Sequence, residues 1–214
     1  MTTRFILVRH AETPGSLERR FTGSTDVPLT DDGHKQAQAL AKRLRPVRID
    51  VMHVSPLLRC RQTAEPITAI TGRKATIVDD LRECGFGCLE NMTIEEAAAQ
   101  FGDSLGTWFG GEDVCPPDGE TWLQVGERVQ RWFGEAAERY KDRTVLAVTH
   151  GGPILWMSRH VSGAPFRSMI AFEIDPASVT VVQSRSNTWR LRLMNDTSHL
   201  SDPLLESAAP RRMP

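Results

Sequence analysis

The chain has 214 residues, a formal net charge of −1, 40% hydrophobic and 25% charged residues. A chain of this length buries about 70% of its unfolded surface without disulfide or metal staples, and its composition excludes collagen-like, coiled-coil and wholly disordered proteins. The near-zero charge gives no global field for nucleic acid or an anionic membrane, so an anion must be held by a local cluster. Four cysteines in a chain this long suit a reducing compartment. Cys84 and Cys88 lack a matching Cys/His pair downstream, so no metal site is expected there. The apolar run near the N-terminus is too short for a signal segment or a membrane span. The expectation is a cytoplasmic protein that meets neither nucleic acid nor membrane.

In chain order, residues 5–8 are an apolar run stopping at Arg9-His10, which predicts a buried strand. A loop rich in turn formers follows. Thr30 reads as an N-cap with Asp31 and Asp32 in the first turn, and Ala37, Leu40, Ala41 and Leu44 recur at helical spacing up to Pro46. Residues 49–54 predict a second strand. Ser55-Pro56 reads as an N-cap and first helical proline, opening a helix to about Ile70. Residues 75–78 predict a third strand.

The stretch 81–119 differs in texture, with glycines, an acidic bias, Trp108, Phe109 and Pro116-Pro117. It reads as a small cap insertion over one end of the sheet, with one short helix opened by the capping box Thr93-x-x-Glu96. Thr121-x-x-Gln124 opens a long helix with Val125, Val129, Trp132, Phe133, Ala136 and Tyr140 on one face. Residues 144–148 predict a strand, and His150-Gly151-Gly152-Pro153 leads into another helix. Residues 169–174, 179–183 and 189–194 predict the last strands, and residues 195–214 show no periodicity and read as a frayed tail. The alternation of strand and helix predicts a parallel α/β sheet in one domain over residues 1–194.

Nucleotide-loop, serine-elbow, zinc-protease and dinucleotide motifs are all absent, as is a cysteine with an arginine six residues on. Histidines remain. His10 and His150 each follow directly on a short apolar strand, and loops at the carboxyl ends of parallel strands form the ligand crevice. The helix start after His150 offers free backbone N–H groups that suit a phosphate. Arg9 precedes His10, and Arg59 sits in the first turn of the helix after the second strand. Two guanidinium forks and two imidazoles at one sheet edge would make an anion pocket. His34, His53, His160 and His199 have no such context and read as ordinary surface or core histidines. On the residues alone, an anion pocket and a pair of structural histidines both stay open.

The segments themselves carry a family resemblance. Leu7-Val-Arg-His-Ala-Glu-Thr13 resembles the Arg-His-Gly-Glu-Thr signature of the histidine phosphatase, or phosphoglycerate mutase-like, superfamily. The likeness continues through Phe21-Thr-Gly-Ser-Thr-Asp-Val-Pro-Leu-Thr30, Ser55-Pro-Leu-Leu-Arg-Cys-Arg-Gln-Thr-Ala64, Leu81-Arg-Glu83, Pro117-Asp-Gly-Glu120 and Val148-Thr-His-Gly-Gly152. The resemblance implies a three-layer α/β/α fold with a mostly parallel sheet and a metal-independent, cofactor-free phosphomonoester hydrolase acting on a small phosphorylated metabolite. It implies that His10 becomes phosphohistidine, that Arg9, Arg59 and His150 hold the phosphoryl group, and that Glu83 is the proton donor. Ser16, Thr22, Gly23 and Gly151 match substrate-side positions.

Three departures stand out: Ala11 for the usual glycine, Ser16 for a common asparagine, and Leu89-Glu90-Asn91 for Trp-Glu-Gly. The likeness is to the phosphatase branch that includes α-ribazole phosphatase. A cofactor-dependent phosphoglycerate mutase and a non-catalytic phospholigand binder are the alternatives. The late strands offer an edge for a possible homodimer.

Overall fold

The computed structural model describes residues 2–166, 172–185 and 188–200. Its sheet is built from β1 (Thr2–Arg9), β2 (Val51–Val54), β3 (Ala75–Ile77), β4 (Thr144–Thr149), β5 (Val179–Arg185) and β6 (Thr188–Asp196), in the order β3-β2-β4-β1-β5-β6. The pairs β1–β4, β2–β4 and β2–β3 are parallel, while β5 runs antiparallel to β1 and β6 to β5. The expected mostly parallel α/β sheet is therefore present.

Strand alternation divides the core between the two faces of this sheet. Ile6, Val8, Leu146 and Val148 point one way, into a cluster with Leu40, Leu44 and Ile67 of α2 (Asp31–Leu44) and α3 (Leu58–Thr71). Phe5, Leu7, Val145 and Ala147 point the other way. They meet Val125, Val129 and Trp132 of α6 (Trp122–Arg139) and Ile154 of α7 (Gly151–Ser162). Three layers result, with the central strands dry on both faces, as a continuous apolar run demands.

Local chemistry sets most of the boundaries. Thr30 Oγ1 accepts the Gly33 N–H at 2.9 Å, capping α2. Thr93 and Thr121 each close a capping box with Glu96 and Gln124. The stretch 81–119 holds two short helices rather than the one expected, α4 (Ile94–Phe101) and α5 (Asp103–Gly110), divided at Gly102 with φ +50°. Two 3₁₀ turns, Asp79–Leu81 and Gly87–Leu89, precede them. A one-turn helix, α1 (Pro14–Leu17), occupies part of the first loop.

Two boundaries differ from expectation. Helix α3 starts at Leu58 with Leu57 as N-cap, two residues later than the Ser55-Pro56 signal, and the Ser55 hydroxyl lies 2.7 Å from His150 Nε2 while accepting the Leu57 N–H at 3.4 Å ahead of the helix. Of the expected strand 169–174, residues 169–171 lie outside the described residues, and 172–174 form no strand. Residues 195–199, the start of the expected tail, are fastened to the body of the protein. The Asn195 side chain accepts the Asp175 N–H at 2.6 Å, and Arg43 of α2 reaches Asp196, Ser198 and His199. Residues 201–214 lie outside the described residues.

Candidate active site

β1 and β4 are neighbours in register, Arg9 opposite Thr149, so the two residues that follow them emerge side by side. The His10 N–H donates to Thr149 O at 2.9 Å, and the His10 and His150 rings stand 5.2 Å apart, edge to face. The chain leaves β1 toward α2 on one face and β4 toward α7 on the other, so this is the point where crossovers change side. Such a point opens a crevice in a parallel sheet.

His10 is 5% exposed, and its Nδ1 lies 2.8 Å from Ala11 O. A carbonyl only accepts, so Nδ1 carries the proton and the lone pair of the neutral ring sits on Nε2. Burial first, then the charges of Arg9 and Arg59, push its pKa well below 6.5. His150 is fully buried and its pKa is depressed too, by burial and then by Arg59.

Arg59, from the first turn of α3, is fully buried and spread over several acceptors. Its Nε reaches His150 Nδ1 at 3.2 Å, and its terminal nitrogens donate to Thr25 O at 2.9 Å, Thr22 O at 3.2 Å and Gly23 O at 2.7 Å. Arg9 donates one terminal N–H to Ile174 O, and its Nε is buried with no partner among the described residues. Burial lowers the Arg9 pKa from its usual value, against the charges of Glu83 and Asp175.

Glu83 comes in from the segment after β3. Its Oε1 accepts the N–H groups of Cys84 at 2.9 Å and Gly152 at 3.1 Å. The point where a Cβ on Gly151 would stand lies 3.8 Å from Arg9 Nε and 3.9 Å from Glu83 Oε2. The structure thus brings Arg9, His10, Arg59, Glu83, His150 and Gly151 together at one end of β1 and β4. The start of α7 differs from expectation, since the Gly152 N–H is given to the Glu83 carboxylate and is not free for an anion.

Ser16, Thr22 and Gly23 make contacts within the protein around this pocket. Ser16 Oγ donates to Thr13 O at 2.9 Å and accepts the Thr13 N–H at 2.9 Å, inside the capping box of α1. Thr22 and Gly23 present their carbonyls to Arg59. Gly23 is packed so tightly that a Cβ there would overlap Cys84 O and the Glu90 carboxylate.

Three contributors were not assigned to the site from the sequence. Ser55 Oγ lies 2.7 Å from His150 Nε2. Thr63 Oγ1 accepts the Ala11 N–H at 2.9 Å and donates to Arg59 O at 2.7 Å, tying the loop after His10 to α3. Arg128 of α6, 4% exposed, pairs with Glu120 and donates to the carbonyls of Asp80, Arg82 and Glu83, holding the segment that carries Glu83. The helical spacing that placed Val125 and Val129 in the core could have flagged Arg128 as facing inward. Ser55 and Thr63 carried no such signal.

Trp108 meets Phe101, and Phe109 stacks on Phe21 at 5.5 Å. Both are thus partners in local aromatic packing. Among the described residues no group of three or more His, Cys, Asp or Glu could hold a metal ion, and no helix is long and apolar enough to cross a membrane.

Fold and site together define an α/β protein with a buried, arginine-lined histidine pair at the carboxyl ends of its central strands. The sequence of residues 5–197 matches the model of the histidine phosphatase superfamily, branch 1, and the chain belongs to that family. It is 28% identical over 199 residues to the uncharacterized phosphatase PhoE of Bacillus subtilis, covering 93% of this chain and 97% of that protein. It is 29% identical over 205 residues to phosphoserine phosphatase 1 of Hydrogenobacter thermophilus, covering 95% and 97%. Among solved structures, a mycobacterial glucosyl-3-phosphoglycerate phosphatase superposes with a TM-score of 0.83 at 25% identity, covering 91% of this chain and 99% of that one.

Proposed function

We propose that the protein is a metal-independent phosphomonoesterase that hydrolyses a small phosphorylated metabolite through a phosphohistidine on His10. The observation that carries this reading is the His10 tautomer: Nδ1 is committed to Ala11 O, so Nε2 offers its lone pair to phosphorus. The low pKa of the ring keeps that lone pair available near neutral pH. Phosphoryl transfer needs in-line positioning and positive charge at the equatorial oxygens. Arg9, with its buried unpartnered Nε, and Arg59 supply the charge, and the neutral His150, which accepts the Arg59 Nε–H beside His10, belongs to the positioning.

His10 Nε2 attacks phosphorus and the P–O bond to the leaving alkoxide breaks. The alkoxide takes a proton from Glu83. Oε1 accepts the Cys84 N–H and shares the Gly152 N–H with Oε2, which holds it at 3.2 Å, so the less engaged Oε2 is the oxygen that carries the proton. In the second half, water attacks phosphorus and gives its proton to the Glu83 carboxylate, a P–O bond forms as the P–N bond breaks, and inorganic phosphate leaves with the lone pair restored to His10 Nε2. The phosphatase relatives support hydrolysis as the outcome.

The test is direct. Enzyme quenched in acid during turnover of ³²P-labelled substrate is expected to carry acid-labile, base-stable label, mapped to His10. His10→Ala is expected to show neither label nor turnover. Full activity in that variant would overturn the mechanism.

A further inference from the structure

Glu90 lies in the stretch 81–119, outside the residues placed in the chemistry, yet its hydrogen bonds run toward the anion pocket. It is half-buried and accepts five donors: the N–H groups of Gly23 at 3.2 Å, Ser24 at 2.9 Å, Thr25 at 3.1 Å and Phe86 at 3.0 Å, and the Thr25 hydroxyl at 2.6 Å. The same loop turns its carbonyls the other way. Those of Thr22, Gly23 and Thr25 accept the terminal nitrogens of Arg59, which in turn reaches His150. Residues 22–25 are thus held between an anion on one side and a cation on the other. Each peptide plane is rigid, so fixing the Gly23 and Ser24 N–H groups fixes the direction of the Thr22 and Gly23 carbonyls. Burial pushes the Glu90 pKa up, but the Thr25 hydroxyl and the Phe86, Ser24 and Thr25 N–H groups outweigh it, so the group is an ionised acceptor at neutral pH.

We infer that Glu90 is a positioning residue for Arg59, setting the orientation of the guanidinium through the carbonyls of Thr22 and Gly23. The inference rests on the proposed role of Arg59 in holding the phosphoryl group. The bare alternative is that Glu90 only ties this stretch to the body of the protein. That task is visibly performed elsewhere, where Arg20 bonds Asn91 O at 2.7 Å and Glu96 at 3.2 Å. Glu96 is therefore a matched control: a carboxylate of the same stretch, bonded across the same boundary but not to the loop that holds Arg59.

Glu90→Gln keeps the volume and removes the charge. Both oxygens carry loop donors, Oε1 that of Ser24 and Oε2 those of Gly23 and Thr25, so no flip of the amide satisfies the loop. Thr25→Val is the milder companion, removing the 2.6 Å bond at constant shape should Glu90→Gln fail to fold.

The readouts are inorganic phosphate affinity by calorimetry, kcat/KM, and Tm, on wild type, Glu90→Gln, Thr25→Val, Glu96→Gln and Arg59→Ala. Misplacing a positioned group from a distance costs about 10²-fold. Glu90→Gln is expected to lose phosphate affinity and kcat/KM by that order and Thr25→Val by less, while Glu96→Gln lowers Tm without changing either. If Glu90→Gln binds phosphate and turns over like Glu96→Gln, Glu90 is only a tie and the inference falls alone. If Arg59→Ala keeps full phosphate affinity, the inference falls together with the reading of the pocket.

Discussion

Each nitrogen of the His150 ring answers to a partner that constrains it. Arg59 Nε can only donate, so His150 Nδ1 accepts, and the proton of the neutral ring sits on Nε2 and is donated to Ser55 Oγ. Ser55→Ala would leave that buried N–H only the weakly accepting Cys60 Sγ at 3.4 Å, a cost of about 1–3 kcal/mol, to be read from urea unfolding. Unchanged stability would mean that another group takes the proton. Glu83 is separable from mere binding by its leaving-group dependence. Glu83→Gln is expected to cut kcat strongly for alkyl phosphates, whose leaving groups are basic, and much less for p-nitrophenyl phosphate. General acid catalysis is worth ~10²–10⁴-fold, so the two losses should differ by at least about tenfold. Equal losses would reduce Glu83 to a residue that orients the start of α7 through the Gly152 N–H.

Between elements, α6 and α7 approach closely at one glycine. A Cβ on Gly126 would overlap the Trp156 ring, which is 3% exposed and packed in the core. Two effects of Gly126→Ala oppose each other. Alanine improves helix propensity by about 1 kcal/mol, while overpacking a rigid aromatic ring costs about 1–3 kcal/mol. The ring has nowhere to retreat, so overpacking wins and the variant is expected to melt a few degrees lower by calorimetry. Its effect on catalysis should follow α7, whose first residues adjoin His150 and Glu83. A variant more stable than wild type would show that the helices separate freely.

Over the whole molecule, the histidines govern how stability varies with pH. His10 and His150 have folded pKa values well below 6.5, chiefly through burial, and those of His53, His160 and His199 are also lowered. Below pH 6.5 the unfolded chain therefore binds protons that the folded one does not. The resulting stability is fully present above pH 6.5 and is lost as pH falls from there toward the folded values. Two such histidines give a limiting slope of about 2.7 kcal/mol per pH unit. Urea unfolding at pH 7.5, 6.5 and 5.5 should show this decline, and a flat profile would contradict the buried neutral pair.

Much of this organisation was legible in the residues, because it depends on neighbours in the chain. Apolar runs at β1 and β4, helical spacing in α2 and α6, and the caps at Thr30, Thr93 and Thr121 are local patterns, and local physics sets them. The order of the family motifs placed Arg9, His10, Arg59, Glu83 and His150 before any fold was known. What the tertiary structure alone decided is which distant groups meet. Only the adjacency of β1 and β4 sets His10 beside His150. Only that meeting makes Ser55 a partner of His150 and gives the Gly152 N–H to Glu83. A side chain with two possible partners has no preference written in its own neighbourhood. Burial settles the choice, since inside the protein an unpartnered polar group is costly and nearly all find an acceptor or donor, and only the packed fold says which one is there.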